Sequence, residues 1–288
     1  ATRRRLWSER PSHETEPKAI TSMNMLYIGD IMGRPGIQTV EKVLPQLQKD
    51  HDIDVVIAQA ENVTAGKGLS LVDYKKLQTL GVDFFTGGNW SMHLPELHGK
   101  LNDPNEPVIR PANYPNNVPG KGYKYLQTPK GAVLVISLLG QIVGKDADRP
   151  VDNPLLAIDR ILEDTKHVKR LATVVNFHGD YSSEKRVIGY YLDGRVTAVV
   201  GDHWHVPTAD AFVLPKGTAH ITDVGMCGSL HSSLGVKLDS IIARWKDGKT
   251  NRNELETKGK LQFNAVLIKS DDKTGLARSI DHIQHIID

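Results

Sequence analysis

Several short polar stretches of this chain carry side chains able to grip a cation or move a proton: Gly29-Asp30, Glu61-Asn62, Gly88-Asn89, Asn176-Phe-His178 and Gly201-Asp-His-Trp-His205. Each follows directly on an apolar run. Carboxylate oxygens, amide oxygens and imidazole nitrogens form a mixed N/O donor set, which suits Mn, Fe or Zn better than a thiolate-selected metal. A carboxylate bridging two cations ~3.5–4 Å apart gives the two-metal arrangement used for phosphoryl displacement. Such a pair generates hydroxide at neutral pH and offsets phosphate charge. In an extended segment residues i and i+2 share a face, so His203 and His205 are expected to aim together at such a cluster.

Taken singly, each residue also has an ordinary structural explanation. Asp30 could cap the following helix. Glu61 and Asn62 could bond their own loop backbone. Asn89, after two glycines, could be a left-handed turn residue. An isolated His178 or an isolated H-x-H is compatible with a structural histidine or a surface pair.

What must position these residues is an alternation of strands and helices. Met25–Ile28 reads as a strand, followed by a Gly/Pro loop, 29–36, and a helix over 37–49 that Pro45 should kink or end. Strands are expected at 54–60, 82–86, 132–139, 171–177, 196–200, 219–222 and 261–268, with helices at 71–80, 153–165 and 238–245. The stretch 102–122 holds five prolines and reads as a long surface excursion, and 144–152 as a polar loop. Alternating β and α elements imply an α/β class, in which the carboxyl ends of the strands form the ligand crevice. Chemistry-bearing loops scattered through the sequence therefore converge in space.

Composition narrows the function classes. With 39% apolar and 24% charged residues, the sequence suits a soluble globular protein. No apolar run approaches the ~20 residues of a bilayer span, so no membrane partner is expected. The single Cys227 excludes a disulfide framework and a cysteine-based zinc site, and it suits a reducing, cytoplasmic setting. Residues 1–22 carry five basic and three acidic side chains and no apolar periodicity, and are expected to form a disordered extension; residues 23–288 form the folded domain, balanced at 31 basic against 31 acidic. Whole-chain charge gives no general case for nucleic-acid binding.

Asp30 in GDIMGRPG, Glu61-Asn62 in AENVTAGKG, Gly88-Asn89, His178 in NFHGDYSSEK, His203/His205 in GDHWHVPTAD, and the segment GTAHITDVGM together resemble the YmdB-type branch of the calcineurin-like metallophosphoesterases. The resemblance runs from about Met23 to the C-terminus. It implies a four-layer α-β-β-α sandwich with a dinuclear centre at the strand ends. By carry-over, Asp30 and His205 bind the first metal with Asn62 beside them, Glu61 bridges, and Asn89, His178 and His203 hold the second. The resemblance further implies two divalent or trivalent metal ions, Fe or Mn, with Zn or Mg also compatible. The implied activity is phosphodiester hydrolysis, notably of 2′,3′-cyclic nucleotides or related RNA-derived phosphoesters, by metal-bound hydroxide in line with the departing sugar oxygen. Homo-oligomerisation is left open.

One position departs from the family pattern. Where the family has a histidine directly after the metal-binding asparagine, this chain has Trp90. An indole donates a hydrogen bond but delivers no proton at neutral pH. General acid–base assistance is worth ~10²–10⁴-fold, so its loss weakens catalysis without abolishing metal binding. His93 is a candidate substitute, set against a plain surface histidine; His220 and His231 are weaker ones. The alternative function is thus a metal-bearing regulatory or RNA-binding protein with little catalysis. Gly29–Gly36 lacks the Gly-Lys-Ser/Thr of a P-loop, and Ser182–Lys185 could either approach substrate or start a helix.

Overall fold

Continuous apolar runs such as MLYI within the strand 24–28 and VVIA within 55–59 have no polar face to show water, so they form strands covered on both sides. The computed structural model describes residues 22–144, 150–248 and 252–288. The expected extension at 1–21 and most of the polar loop 144–152 lie outside the described residues. In chain order the elements are β1 (Asn24–Ile28), β2 (Asp30–Ile31), α1 (Gly33–His51), β3 (Val55–Gln59), α2 (Leu71–Thr79), β4 (Phe84–Thr86), α3 (His98–Asn102), β5 (Tyr123–Gln127), β6 (Ala132–Leu139) and α4 (Pro154–Asp164). They continue with β7 (Ala172–His178), α5 (Ser182–Tyr191), β8 (Ala198–Asp202), β9 (Phe212–Val213), β10 (Ala219–Ile221), β11 (Met226–Ser229), α6 (Leu238–Asp247), β12 (Leu261–Ser270) and β13 (Ala277–Ile287).

Two mixed sheets result. One runs β2-β11-β12-β1-β3-β4 with β13 paired to β12; the other runs β5-β6-β7-β8-β10-β9. Strands β1, β3 and β4 are mutually parallel, as are β6, β7, β8 and β10. The sheets face each other across a core that includes Tyr27, Ile57 and Phe84 from one and Val135, Val174 and Val200 from the other. Val40, Leu44 and Leu47 of α1, with Tyr74 and Leu77 of α2, cover the outer face of the first sheet. Ile158 and Ile161 of α4 and Ile188 of α5 cover the second. The order is therefore helices, sheet, sheet, helices: the α/β four-layer sandwich.

Some local expectations need correction. The 29–36 stretch is not all loop, because α1 begins at Gly33. Pro35 lies in the first turn, where its missing N–H has no intrahelical partner to lose. Pro45 neither ends nor breaks α1; it lies on the exposed side, where water can satisfy the carbonyl it frees. The proline-rich 102–122 stretch is not a surface excursion. Val108, Ile109, Asn113 and Tyr114 are buried, and Phe85 and Val108 form a parallel bridge beside β4. Asn113 ties it down, donating to the Leu139 carbonyl at 2.7 Å and accepting from the Leu139 N–H at 2.8 Å. Strand β13 has a half-polar sequence and carries no clear period, yet it is one of the longest strands in the fold.

Candidate metal centre

The strand ends of both sheets meet at one edge of the sandwich. Asp30 follows β1, Glu61 and Asn62 follow β3, and Asn89 follows β4; His178 ends β7, and His203 and His205 follow β8. Glycine at 88 is what lets β4 come so close. A Cβ there would lie 2.3 Å from His178 Cδ2 and 2.5 Å from Glu61 Oε2.

His178 is the hub. Its Nε2 lies 2.9 Å from Glu61 Oε1 and 2.9 Å from Asn89 Oδ1. Its Nδ1 lies 2.7 Å from Asp202 Oδ1, so with that carboxylate accepting, Nδ1 carries the ring proton. Asp202 is itself fixed by donors: Tyr27 Oη at 2.9 Å, Asn176 Nδ2 at 2.5 Å and Gln59 Nε2 at 3.3 Å. The other ring nitrogen is thereby turned toward Glu61 and Asn89, an arrangement common around ligating histidines. The His203 ring stacks edgewise on His178 with centroids 4.4 Å apart, and its Nε2 lies 3.2 Å from Asp180 Oδ1.

Asp30 forms the second focus. Its Oδ2 accepts the His203 N–H at 3.2 Å, while its Oδ1, fully buried, has no hydrogen-bond partner. His205 Nε2 stands 3.7 Å from that oxygen. His205 Nδ1 lies 3.3 Å from the Leu234 carbonyl, to which it donates, so Nε2 offers a lone pair rather than a proton. Burial pushes the His205 pKa down to about 4, which keeps the ring neutral. Asn62 Nδ2 donates to the Gly66 carbonyl at 3.0 Å, leaving its buried Oδ1 without a partner.

The charge balance here favours a cation. Burial, then Asp202, pushes the Asp30 carboxyl well above the usual range. Burial works against charge on His178, but Glu61 and Asp202 outweigh it and raise its pKa well above normal. Burial likewise opposes charge on Glu61, but His178 outweighs it and lowers its pKa. Without a metal, a proton on His178 is the charge that binds Glu61. Ligand atoms held at ~2.1 Å in adjacent octahedral positions lie about 3 Å apart, which matches the 2.9 Å separations around His178. Buried oxygens without a partner on Asp30 and Asn62, with His205 Nε2 3.7 Å from the first, are the second mark of a cation site. Glu61, His178 and His203 form one set of donor atoms close enough to share an ion; Asp30, His178 and Asp202 form another.

Every metal-site residue expected from sequence is therefore drawn to this edge, but not by the expected backbone. His203 and His205 are not extended: their φ values are +104° and +62°. Those left-handed turns send the two rings to opposite partners, His203 toward His178 and His205 toward Asp30. A buried ion pair holds this strained loop. Lys185 Nζ donates to Asp223 Oδ2 at 2.7 Å and to the Asp202 carbonyl at 2.6 Å, and Asp223 also accepts the Trp204 N–H at 2.8 Å. Lys185 is therefore structural rather than a substrate contact. Trp90 is half-buried, and its backbone N–H donates to Glu61 Oε2 at 2.9 Å. His93 is exposed, with its ring edge-on to Trp90 at 5.3 Å. His220 turns away beneath α5, close to Gly189. Cys227 is buried, and burial pushes its thiol up to about 12, which suits a structural residue.

Asp202, Gln59, Asn176, Tyr27 and Asp223 were not singled out by sequence. Asp202 and Asp223 do lie within GDHWHVPTAD and GTAHITDVGM, and Asn176 begins NFHGD. No helix among the described residues is long and apolar enough to cross a membrane.

Comparison with known proteins agrees with this architecture. The YmdB-like protein family matches residues 26–283. A 2′,3′-cyclic-nucleotide 2′-phosphodiesterase of Bacillus subtilis (strain 168) is 38% identical over 263 residues, covering 91% of this chain and 96% of that protein. A phosphatase from Mycoplasma pneumoniae of known structure superposes with a TM-score of 0.86 at 30% identity, covering 93% of this chain and 95% of the other. A hypothetical protein from Thermus thermophilus gives 0.83 at 37% identity, over 92% and 100% of the two chains.

Proposed function

Because the chain belongs to the YmdB-like protein family, a group with phosphodiesterase and phosphatase members, we propose that it hydrolyses 2′,3′-cyclic nucleotides or related RNA-derived phosphoesters at a dinuclear metal centre. The observation that carries this is the pair of adjoining ligand clusters, one of Glu61, Asn89 and His178 and one of Asp30 and His205. Asp30 and His205, flanked by Asn62, would hold the first metal. Asn89, His178 and His203 would hold the second, with Glu61 shared between them. The donor set suits Fe or Mn, with Zn or Mg also accommodated. When bound, the two cations supply activation of the attacking water and neutralisation of phosphate charge.

The chain's own residues do the positioning. Asp202 keeps the His178 proton on Nδ1 and so presents Nε2 to the site. The Trp90 N–H orients Glu61, and the Lys185–Asp223 pair fixes the turn bearing His203 and His205. Hydrolysis breaks one ribose O–P bond of the cyclic ester and yields a nucleoside monophosphate. Asp30→Ala and His178→Ala are each expected to abolish metal-dependent release of that product. Metal-replete protein that turns over no phosphodiester or phosphomonoester refutes the proposal.

Trp90 supports a second reading, a metal-bearing regulatory or RNA-binding protein with weak catalysis. The indole stands beside the proposed ligand Asn89 and has no proton to deliver. A gain of ~10²-fold or more in Trp90→His would favour this reading. Robust activity that stays unchanged in Trp90→His would retire it.

A further inference from the structure

Beside the proposed metal centre lies a cleft of about 650 Å³. Its lining includes the apolar Met32, Val236 and Leu255 together with Lys67, His93, Arg244 and Arg252. We propose that this cleft holds the nucleotides upstream of the reacting phosphate, so that the preferred substrate is a short single-stranded RNA ending in a 2′,3′-cyclic phosphate. The inference rests on the phosphodiesterase reading and names its substrate class.

Three features lead to it. The first is continuity. The loop 64–68 flanks both places: the Gly66 carbonyl accepts from Asn62 Nδ2, and Lys67 lines the cleft with its Nζ 4.2 Å from the centre of the Trp90 ring. The backbone of Trp90 in turn touches the proposed metal centre, its main-chain N–H donating to Glu61. A chain whose end is held at the metals thus leads past Trp90 into the cleft. A 3′-terminal cyclic phosphate leaves only the 5′ side of its nucleotide to continue, so one exit suffices.

The second feature is charge. Residues 23–288 are balanced overall, yet the described lining of this cleft includes Lys67, Arg244 and Arg252 and no acidic side chain. Arg244 is held in place, donating to Asn253 Oδ1 at 2.6 Å. Glu254, which feels Arg252, is paired with Lys237 at 2.8 Å. Cations beside apolar side chains match a phosphodiester backbone carrying bases. The third is the half-buried Trp90 ring, which with Lys67 Nζ over its face forms a cation–π pair linking the metal-site loops to the cleft lining.

The test compares kcat/KM of the metal-replete full chain for 2′,3′-cyclic AMP and for a tetranucleotide ending in a 2′,3′-cyclic phosphate. The expected preference for the tetranucleotide is at least about tenfold, it weakens as salt rises, and it falls close to unity in the Arg244→Gln/Arg252→Gln double variant. Equal kcat/KM for the two substrates overturns the proposal, as does a preference the double variant leaves intact. If neither substrate is hydrolysed, the enzymatic reading fails, and the cleft is judged by binding alone. A tetranucleotide with a 3′-phosphate should then bind in a salt-dependent manner that the double variant loses; no such binding overturns the proposal.

Discussion

Replacing Gly88 with alanine isolates the geometry of the proposed metal centre with a single methyl group. The added Cβ would lie 2.3 Å from His178 Cδ2, 2.4 Å from its Cγ and 2.5 Å from Glu61 Oε2. Carbon atoms in contact settle at ~3.5 Å or more, so the ring or the strand end must shift by about 1 Å. Neither neighbour has room to yield cheaply: His178 is fully buried and pinned at 2.7 Å to Asp202, and Glu61 is held at 2.9 Å by the Trp90 N–H. Overpacking of this kind costs ~1–3 kcal/mol in stability. A ~1 Å misplacement of catalytic groups costs about 100-fold in rate. Gly88→Ala is therefore expected to remain folded by circular dichroism, with metal affinity down about tenfold or more and kcat/KM down about 100-fold. Gly99→Ala serves as the control, because a Cβ there meets nothing within 4 Å and should if anything stabilise α3. A Gly88→Ala protein with metal affinity and kcat/KM within about two- to threefold of the parent would show that the tight approach of β4 to His178 is unimportant.

Two further outcomes follow from buried polar groups away from substrate or independent of turnover. His220 is pushed by burial from 6.5 down to about 4, so it is neutral in both states above pH 6.5. Below that the unfolded chain takes up a proton that the folded chain refuses, and about 3 kcal/mol of stability is lost between pH 6.5 and 4. Denaturant titrations at several pH values should show this slope flattened in His220→Phe, and an unchanged slope contradicts the assignment. Asp30 is a fully buried carboxyl group with one unpartnered oxygen, which a cation in the proposed site would use. Asp30→Asn should raise the melting temperature of metal-free protein while abolishing the extra stabilisation that added metal gives the parent. A lower melting temperature in the metal-free variant would mean that Asp30 serves the fold rather than the site.

The parts of this architecture visible in sequence are those where local chemistry changes abruptly. A mainly apolar run that stops at Asp30, Glu61 or His178 announces both a buried strand and a polar strand end, and a parallel arrangement brings those ends together. What stayed hidden depends on partners distant in sequence. Asp202 acquires its role only through His178, 24 residues earlier, and Lys185 only through Asp223. The His203/His205 pair reaches this edge by a route other than the one expected, since positive φ at both residues, rather than strand alternation, sets their directions. Residues 102–122 lack any period because prolines impose an extended path, yet Val108 and Ile109 reach the core through side-by-side pairing with β4. Strand β13 is set by its long antiparallel pairing with β12 and not by its own half-polar sequence.

The most direct measurement is elemental analysis of freshly purified protein combined with turnover of a 2′,3′-cyclic nucleotide before and after chelation. Two equivalents of metal per chain, activity lost on chelation and restored on reloading, and both properties lost in His178→Ala are expected. Full turnover by chelated, metal-free protein, or a chain that binds no metal at all, would contradict a dinuclear hydrolytic centre at this strand edge.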